Sequence, residues 1–258
     1  YNHIEGAVTY DTLESGGLAY EAARMFGWFQ RMLTDLPGPR LHETIVDFHA
    51  TPKRLKAFEE VLRGDPCNRA KDAKAEIEFV LENVDICDVL LGRAAAGEIP
   101  VRITHNDTKI NNVMMDEETH KGVCVVDLDT VMPGLSLYDF GDMVRTATNP
   151  AEEDERDLSE VTMRMAIFEV LVRGFAEETH GFLTATEKKL LTASGKLITF
   201  EQMIRFLGDY IAGDTYYKIQ REGQNLDRAR TQMKMVQSIV EQEGEMDSFV
   251  EGVFDELS

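Results

Sequence analysis

Apolar residues recur every three or four positions over most of this chain, and alternate in twos only near its middle. The first strong helical stretch follows Ser15, where Leu18, Ala22, Met25, Phe26, Phe29, Met32 and Leu33 share one face. Leu36-Pro37-Gly38-Pro39 ends it. Thr51-Pro52 reads as an N-cap followed by proline at the first helical position, opening a helix to about Leu62. A further helix is expected over residues 69–91. Near the N-terminus, residues 1–10 alternate loosely and suit a strand or an extended connector.

The period then changes. Residues 101–104, 113–115 and 123–126 are short strand-like runs. The last two flank the polar turn 116–122 and predict a β-hairpin. Pairing Val113 with Val126 and Met115 with Cys124 would set Asn112 opposite Asp127. Beyond Gly134 the helical period returns. Leu158, Val161, Met165, Phe168, Val172 and Phe175 repeat at helical spacing, and further helices are expected over 187–193, 196–212 and 227–243. The predicted class is mainly α (α+β): a helical body around one small hairpin. No internal repeat or low-complexity segment interrupts it.

Composition narrows the function. The 258 residues hold 43 % hydrophobic and 29 % charged residues, enough for a real core. A net charge of −20 speaks against nucleic acid or anionic lipid as a partner. No apolar run is long enough for a membrane span, and no signal-peptide pattern opens the chain. Cys67, Cys87 and Cys124 show no paired spacing, so free thiols and a cytoplasmic location are expected.

The unusual polar residues gather at the β element. Residues 104–112 contain His105, Asp107, Lys109 and Asn112, and Asp127 follows the hairpin. An amide oxygen and a carboxylate at one hairpin end are hard ligands that suit Mg²⁺. Asp107 could accept a proton from a substrate hydroxyl, and Lys109 could neutralise a transferring phosphoryl group. His105 reads as a hydrogen-bonding support for the loop. The order His-x-Asp-x-x-x-x-Asn, then Asp, is that of a kinase catalytic loop. His49 reads as a loop or core histidine.

Through residues 105–112, 126–129 and 134–142, the chain resembles the aminoglycoside phosphotransferase/choline kinase family. That likeness implies the protein-kinase-like fold and ATP- and Mg²⁺-dependent phosphoryl transfer. Asn112 and Asp127 would hold metal and nucleotide, with Asp129 and Asp139 in support. Similarity around 205–210, 213–216 and 225–230 points within the family to members acting on the anomeric hydroxyl of an N-acetylhexosamine. It implies that Asp107, Arg205 and Tyr216 face the sugar.

The resemblance also exposes a gap, since residues 1–100 hold no glycine-rich phosphate loop and read as helices. The expected organisation is therefore a C-terminal lobe alone. Residues 1–10 would be the hinge or last strand of an absent N-terminal lobe. Residues 11–258 would form the catalytic lobe, with loop 104–112 and metal-binding hairpin 113–129. Such a lobe should turn over little ATP unaided. Two other readings stay open. Residues 123–131 fit the opening motif of haloacid-dehalogenase-type phosphatases, with Asp127 as nucleophile. The lobe could also bind a sugar or partner without catalysis.

Overall fold

Ser15 opens the first helix as its spacing predicts: its Oγ accepts the Leu18 N–H, and α1 runs Gly16–Met32. In the computed structural model, which describes residues 3–11 and 15–258, α1 lies against α6 (Met165–Thr179). Glycine permits their close approach. A Cβ at Gly174 would sit 2.3 Å from the Tyr20 carbonyl oxygen. The apolar faces of α1, α6 and α5 (Ser136–Ala147) build one core around Phe26, Phe140, Phe168 and Phe175.

A second core forms around α8 (Leu191–Ala212), where Phe200, Met203, Ile204 and Leu207 meet Phe58 of α2 (Thr51–Gly64) and Val236 of α9 (Gln224–Glu256). Among the described residues, no helix is long and apolar enough to cross a membrane.

The middle of the chain supplies two small antiparallel sheets. β2 (Arg102–Thr104) pairs with β5 (Met132–Gly134), with Thr104 opposite Met132. β3 (Val113–Asp116) pairs with β4 (Gly122–Val125), and β1 (Ala7–Val8) adds to the other edge of β3. Of the N-terminal segment read as a strand or connector, Tyr1 and Asn2 lie outside the described residues.

Four expectations need correction. The hairpin register is off by one residue at Val113 and by two at Met115. Val113 faces Val125 and Met114 faces Cys124, but Met115 faces Gly122, so β4 carries an extra residue at Val123. Asn112 therefore meets Val126, whose N–H donates to its carbonyl at 2.9 Å. Secondly, Ala50 rather than Thr51 is the N-cap of α2, because the Thr51 hydroxyl donates to Glu201 at 2.6 Å.

Thirdly, the stretch 69–91 is not one helix. It holds a single turn over 70–72, then α3 (Lys74–Glu82), a tight turn over 84–88 and α4 (Val89–Ala95). Asn83 helps to break it: its amide caps the Phe79 carbonyl at the end of α3. Finally, Leu158 and Val161 precede α6. Arg164 donates to the Ala147 and Thr148 carbonyls and the Met163 N–H to Ser238 Oγ, which holds the approach outside the helix. Towards the C-terminus, α7 is Ala185–Lys189, opened by a capping box between Thr184 and Glu187.

Gly174→Ala should destabilise the fold by about 1–3 kcal/mol, because the new methyl must displace backbone at the α1–α6 contact. Gly181→Ala, with open space around its Cβ, serves as the comparison. Urea unfolding of the two variants checks this, with a clear loss expected only for the first.

Candidate active site

The loop 104–112 has few regular backbone partners, and several of its amides are held instead by side chains of α5. Asp139, in the first turn of α5, is fully buried. Its Oδ2 accepts the His105 N–H at 3.0 Å, and its Oδ1 accepts the Asn106 N–H at 2.7 Å. Gln30 of α1 donates to the same carboxylate at 2.6 Å. One turn later Asp142 accepts the Thr108 N–H at 2.9 Å, while the Thr108 hydroxyl donates to the Asp139 carbonyl at 2.7 Å. Two carboxylates on one helix face thus fix three residues of the loop, His105, Asn106 and Thr108.

His105 is wholly buried and lies edge-on to Phe26 and Phe29, with ring centroids 5.2 Å and 5.7 Å away. Its Nε2 is 2.9 Å from the Val126 carbonyl, which ties the loop to the end of β4. Thr130 Oγ1 donates to the His105 carbonyl at 2.7 Å, and Asn106 Nδ2 to the Thr130 carbonyl at 2.9 Å.

Asp107 emerges from this frame half-exposed. Lys109 Nζ lies 3.0 Å from its Oδ1, and Asn112 Nδ2 lies 3.2 Å from its Oδ2. Asn112 also donates to the Asp107 carbonyl at 2.8 Å, so its amide oxygen turns the other way. Asp127 follows β4 with φ of 60°, a left-handed conformation that aspartate tolerates better than most residues. It leads into the turn 128–130, and both Asp127 and Asp129 are exposed. Among the described residues, no cluster of three or more His, Cys, Asp or Glu side chains forms a metal cage. The hard donors at this end of the hairpin are Asn112 and Asp127. One amide and one carboxylate suit Mg²⁺, which keeps most of its coordination for water and phosphate.

Asp107, Lys109, Arg205 and Tyr216 line a single cleft of about 460 Å³. Arg205 projects from α8 between two aromatic rings, with Phe48 and Tyr217 each 5.6 Å from its guanidinium. Tyr216 is 74 % exposed on the turn after α8. That turn is anchored by Asp209, which accepts the N–H groups of Thr215, Tyr216 and Tyr217 at 2.9, 2.8 and 2.9 Å.

Sequence reasoning left out the inner wall. His49 Nδ1 sits 3.0 Å from Glu201 Oε1, and its Nε2 is buried without a partner. Glu201 interrupts the apolar face of α8 between Phe200 and Met203, which was the available signal. Arg145 pairs with Asp142 at 2.9 Å and reaches Glu153 at 3.7 Å. Burial alone would push both Asp142 and Glu201 upward. Arg145 overcomes it for Asp142, and His49, Thr51 and Arg205 overcome it for Glu201, so both end below the ordinary carboxylate range.

The model of the phosphotransferase enzyme family (APH) matches residues 3–161, more than half of the chain. This chain belongs to that family. The phosphotransferase also shares its fold with solved kinases. Over 96 % of its length it matches a choline/ethanolamine kinase family protein from Mesorhizobium loti, with 15 % identity, a TM-score of 0.53 and 71 % of that chain covered. A microcompartment-associated aminopropanol kinase matches 93 % of it at 14 % identity and TM-score 0.51, with 65 % of that chain covered. Choline kinase from Cryptosporidium parvum Iowa II matches 97 % at 14 % identity and TM-score 0.51, with 71 % covered. At such identities the likeness is one of fold.

Family membership makes the chain a small-molecule phosphotransferase of the protein-kinase-like fold. It overturns the phosphatase reading of Asp127. The strand before Asp127 is half of an antiparallel hairpin, not a strand in an alternating α/β sheet.

Two outcomes follow for the phosphotransferase. Asp139→Ala leaves the His105 and Asn106 amides buried without an acceptor and should cost at least about 2 kcal/mol in urea unfolding. Asp139→Asn should not restore it fully, since half of its amide is a donor facing donors. Acid also acts through the depressed carboxylates. Asp142 and Glu201 contribute stability that is fully present above about pH 4 and is lost as pH falls through their lower folded values. Glu201→Gln should flatten the acid limb of the stability–pH curve by one titrating group.

Proposed function

We propose that this chain is the catalytic part of a small-molecule kinase that transfers the γ-phosphoryl group of ATP to a sugar hydroxyl. The observation that carries the reading is the position of Asp107. It is a half-exposed carboxylate on a rigidly held loop, at the mouth of a cleft lined by arginine and tyrosine. Asp107 accepts the proton of the acceptor hydroxyl, and Lys109, 3.0 Å from that carboxylate, faces the developing charge. Asn112 and Asp127 are the residues that would hold Mg²⁺, and the ion would supply positive charge to offset that of the phosphates. Asp129 adds a neighbouring carboxylate, and the hydrogen bonds of His105 and Asp139 support the loop.

The acceptor end favours a sugar over a quaternary amine. Arg205 already fills the aromatic slot between Phe48 and Tyr217 where an ammonium group would sit. Arg205, with Tyr216, can instead donate to hydroxyl or acyl oxygens. The sequence likeness to N-acetylhexosamine 1-kinase supports the anomeric hydroxyl of an N-acetylhexosamine as the acceptor. We place the rest of the nucleotide clamp on an N-terminal lobe, reached through the segment that ends at Tyr10. The three free cysteines agree with a cytoplasmic setting.

In a protein that carries this chain with such a lobe, Asp107→Ala should lower kcat by about 10²–10⁴-fold and leave nucleotide binding intact. Asp127→Ala should weaken Mg²⁺-dependent nucleotide binding itself. Steady-state kinetics and nucleotide titration separate the two. Wild-type turnover in both variants would contradict the assigned roles.

A further inference from the structure

A second hollow of about 210 Å³ lies between α2 and α8, on the far side of Arg205 from Asp107's loop. It shares Arg205, Tyr216 and Tyr217 with the acceptor cleft, so the two are continuous around one lip. Its floor is apolar, formed by Phe58, Val61 and Ile204 among others. Its polar edge carries Arg54 and Arg205 beside Asp209, whose carboxylate is taken up by the Thr215, Tyr216 and Tyr217 N–H groups and by Asn225. Arg54 of α2 donates through Nη2 to the Phe48 carbonyl at 3.1 Å, and its Nε is buried without a partner. Arg205 stacks on the ring of the same Phe48 and is hydrogen-bonded only to Gln202, at 3.2 Å.

Neither arginine has a carboxylate partner among the described residues. This is unusual in a chain with a net charge of −20. The other half-buried arginines either pair with acids, as Arg24, Arg69, Arg102 and Arg145 do, or cap carbonyls, as Arg164 does. Two guanidinium groups braced on one phenylalanine, neither of them in an ion pair and both with donors to spare, form a receptor for an anion. The apolar floor adds room for a ring that carries it.

We propose that the α2–α8 groove is a subsite for an anionic group, carboxylate or phosphate, borne by the acceptor on the end away from its reacting hydroxyl. The subsite rests on the sugar-kinase reading for its geometry, because Arg205 then serves the sugar ring on one side and its acidic substituent on the other. The groove would extend the acceptor range to acidic sugars.

Binding by the 258-residue chain tests it without requiring turnover. Isothermal titration calorimetry is run at low salt with N-acetylglucosamine, its 6-carboxylate and its 6-phosphate. The acidic sugars should bind about tenfold or more tightly than the neutral one. Arg54→Gln should erase that preference, while Lys53→Gln, which removes an exposed charge paired with Asp47 on the same helix, should keep it. Thermal unfolding of each variant confirms folding. The two acids tell a carboxylate receptor from a phosphate receptor. Equal binding of neutral and acidic sugars, a preference that survives Arg54→Gln, or one lost equally in Lys53→Gln overturns the subsite. Absence of binding by all three sugars overturns both the subsite and the sugar reading. Tight binding of an acid by this chain, with no phosphoryl transfer to any sugar by a protein that carries it together with a nucleotide-binding lobe, would overturn the kinase reading and leave the anion subsite standing.

Discussion

A buried carboxylate gripping the backbone of a loop is the interaction on which this site depends. Asp139 accepts two consecutive amides, at His105 and Asn106, and a side-chain amide from Gln30. Taking that charge out of water is costly: burial pushes the Asp139 carboxyl above its ordinary range, and the His105, Asn106 and Gln30 donors recover only part of the cost. The result is a loop with little regular backbone pairing and almost no freedom. Asp107 follows at once, so its half-exposed carboxylate inherits a fixed direction. Preorganisation of this kind is what phosphoryl transfer asks of a protein, since positioning and charge stabilisation supply most of the catalysis.

The same device recurs across the cleft. Asp209 collects the amides of Thr215, Tyr216 and Tyr217 and is itself held by Asn225 at 2.9 Å. Tyr216 is therefore exposed on a turn whose backbone is pinned. Glu201 plays a related part in the inner wall, binding His49 and Thr51. Each wall of the cleft rests on an acid that faces inward, while Lys109, Arg145, Arg205, Lys218 and Arg228 supply cations along it. The bulk charge of the chain hides this local balance.

Much of this was legible in the sequence wherever a local rule acts alone. Ser15 capped α1 as its spacing predicted, and the Asp107–Asn112 motif lay on a loop ahead of a hairpin. Errors arose where tertiary contacts compete with local rules. The bulge at Val123 breaks the hairpin register between Met114 and Met115, and no periodicity encodes a bulge. Thr51 looked like a cap but serves Glu201, far along the chain. The region 69–91 had a helical pattern, yet Asn83 caps α3 in its midst. His49 was passed over because its partner lies on α8, and a lone histidine carries no pairing signal. Arg54 gave no hint either, since a missing acid partner is visible only in three dimensions.

The central claim is that a phosphoryl group moves to a sugar hydroxyl beside Asp107. Phosphorus NMR of a reaction with ATP, Mg²⁺ and N-acetylglucosamine, catalysed by a protein that carries this chain with its nucleotide-binding lobe, reads that directly. The account predicts loss of the γ-phosphate signal and growth of a phosphomonoester resonance split by the anomeric proton. Growth of inorganic phosphate alone, or a phosphoester formed only when choline replaces the sugar, would contradict it.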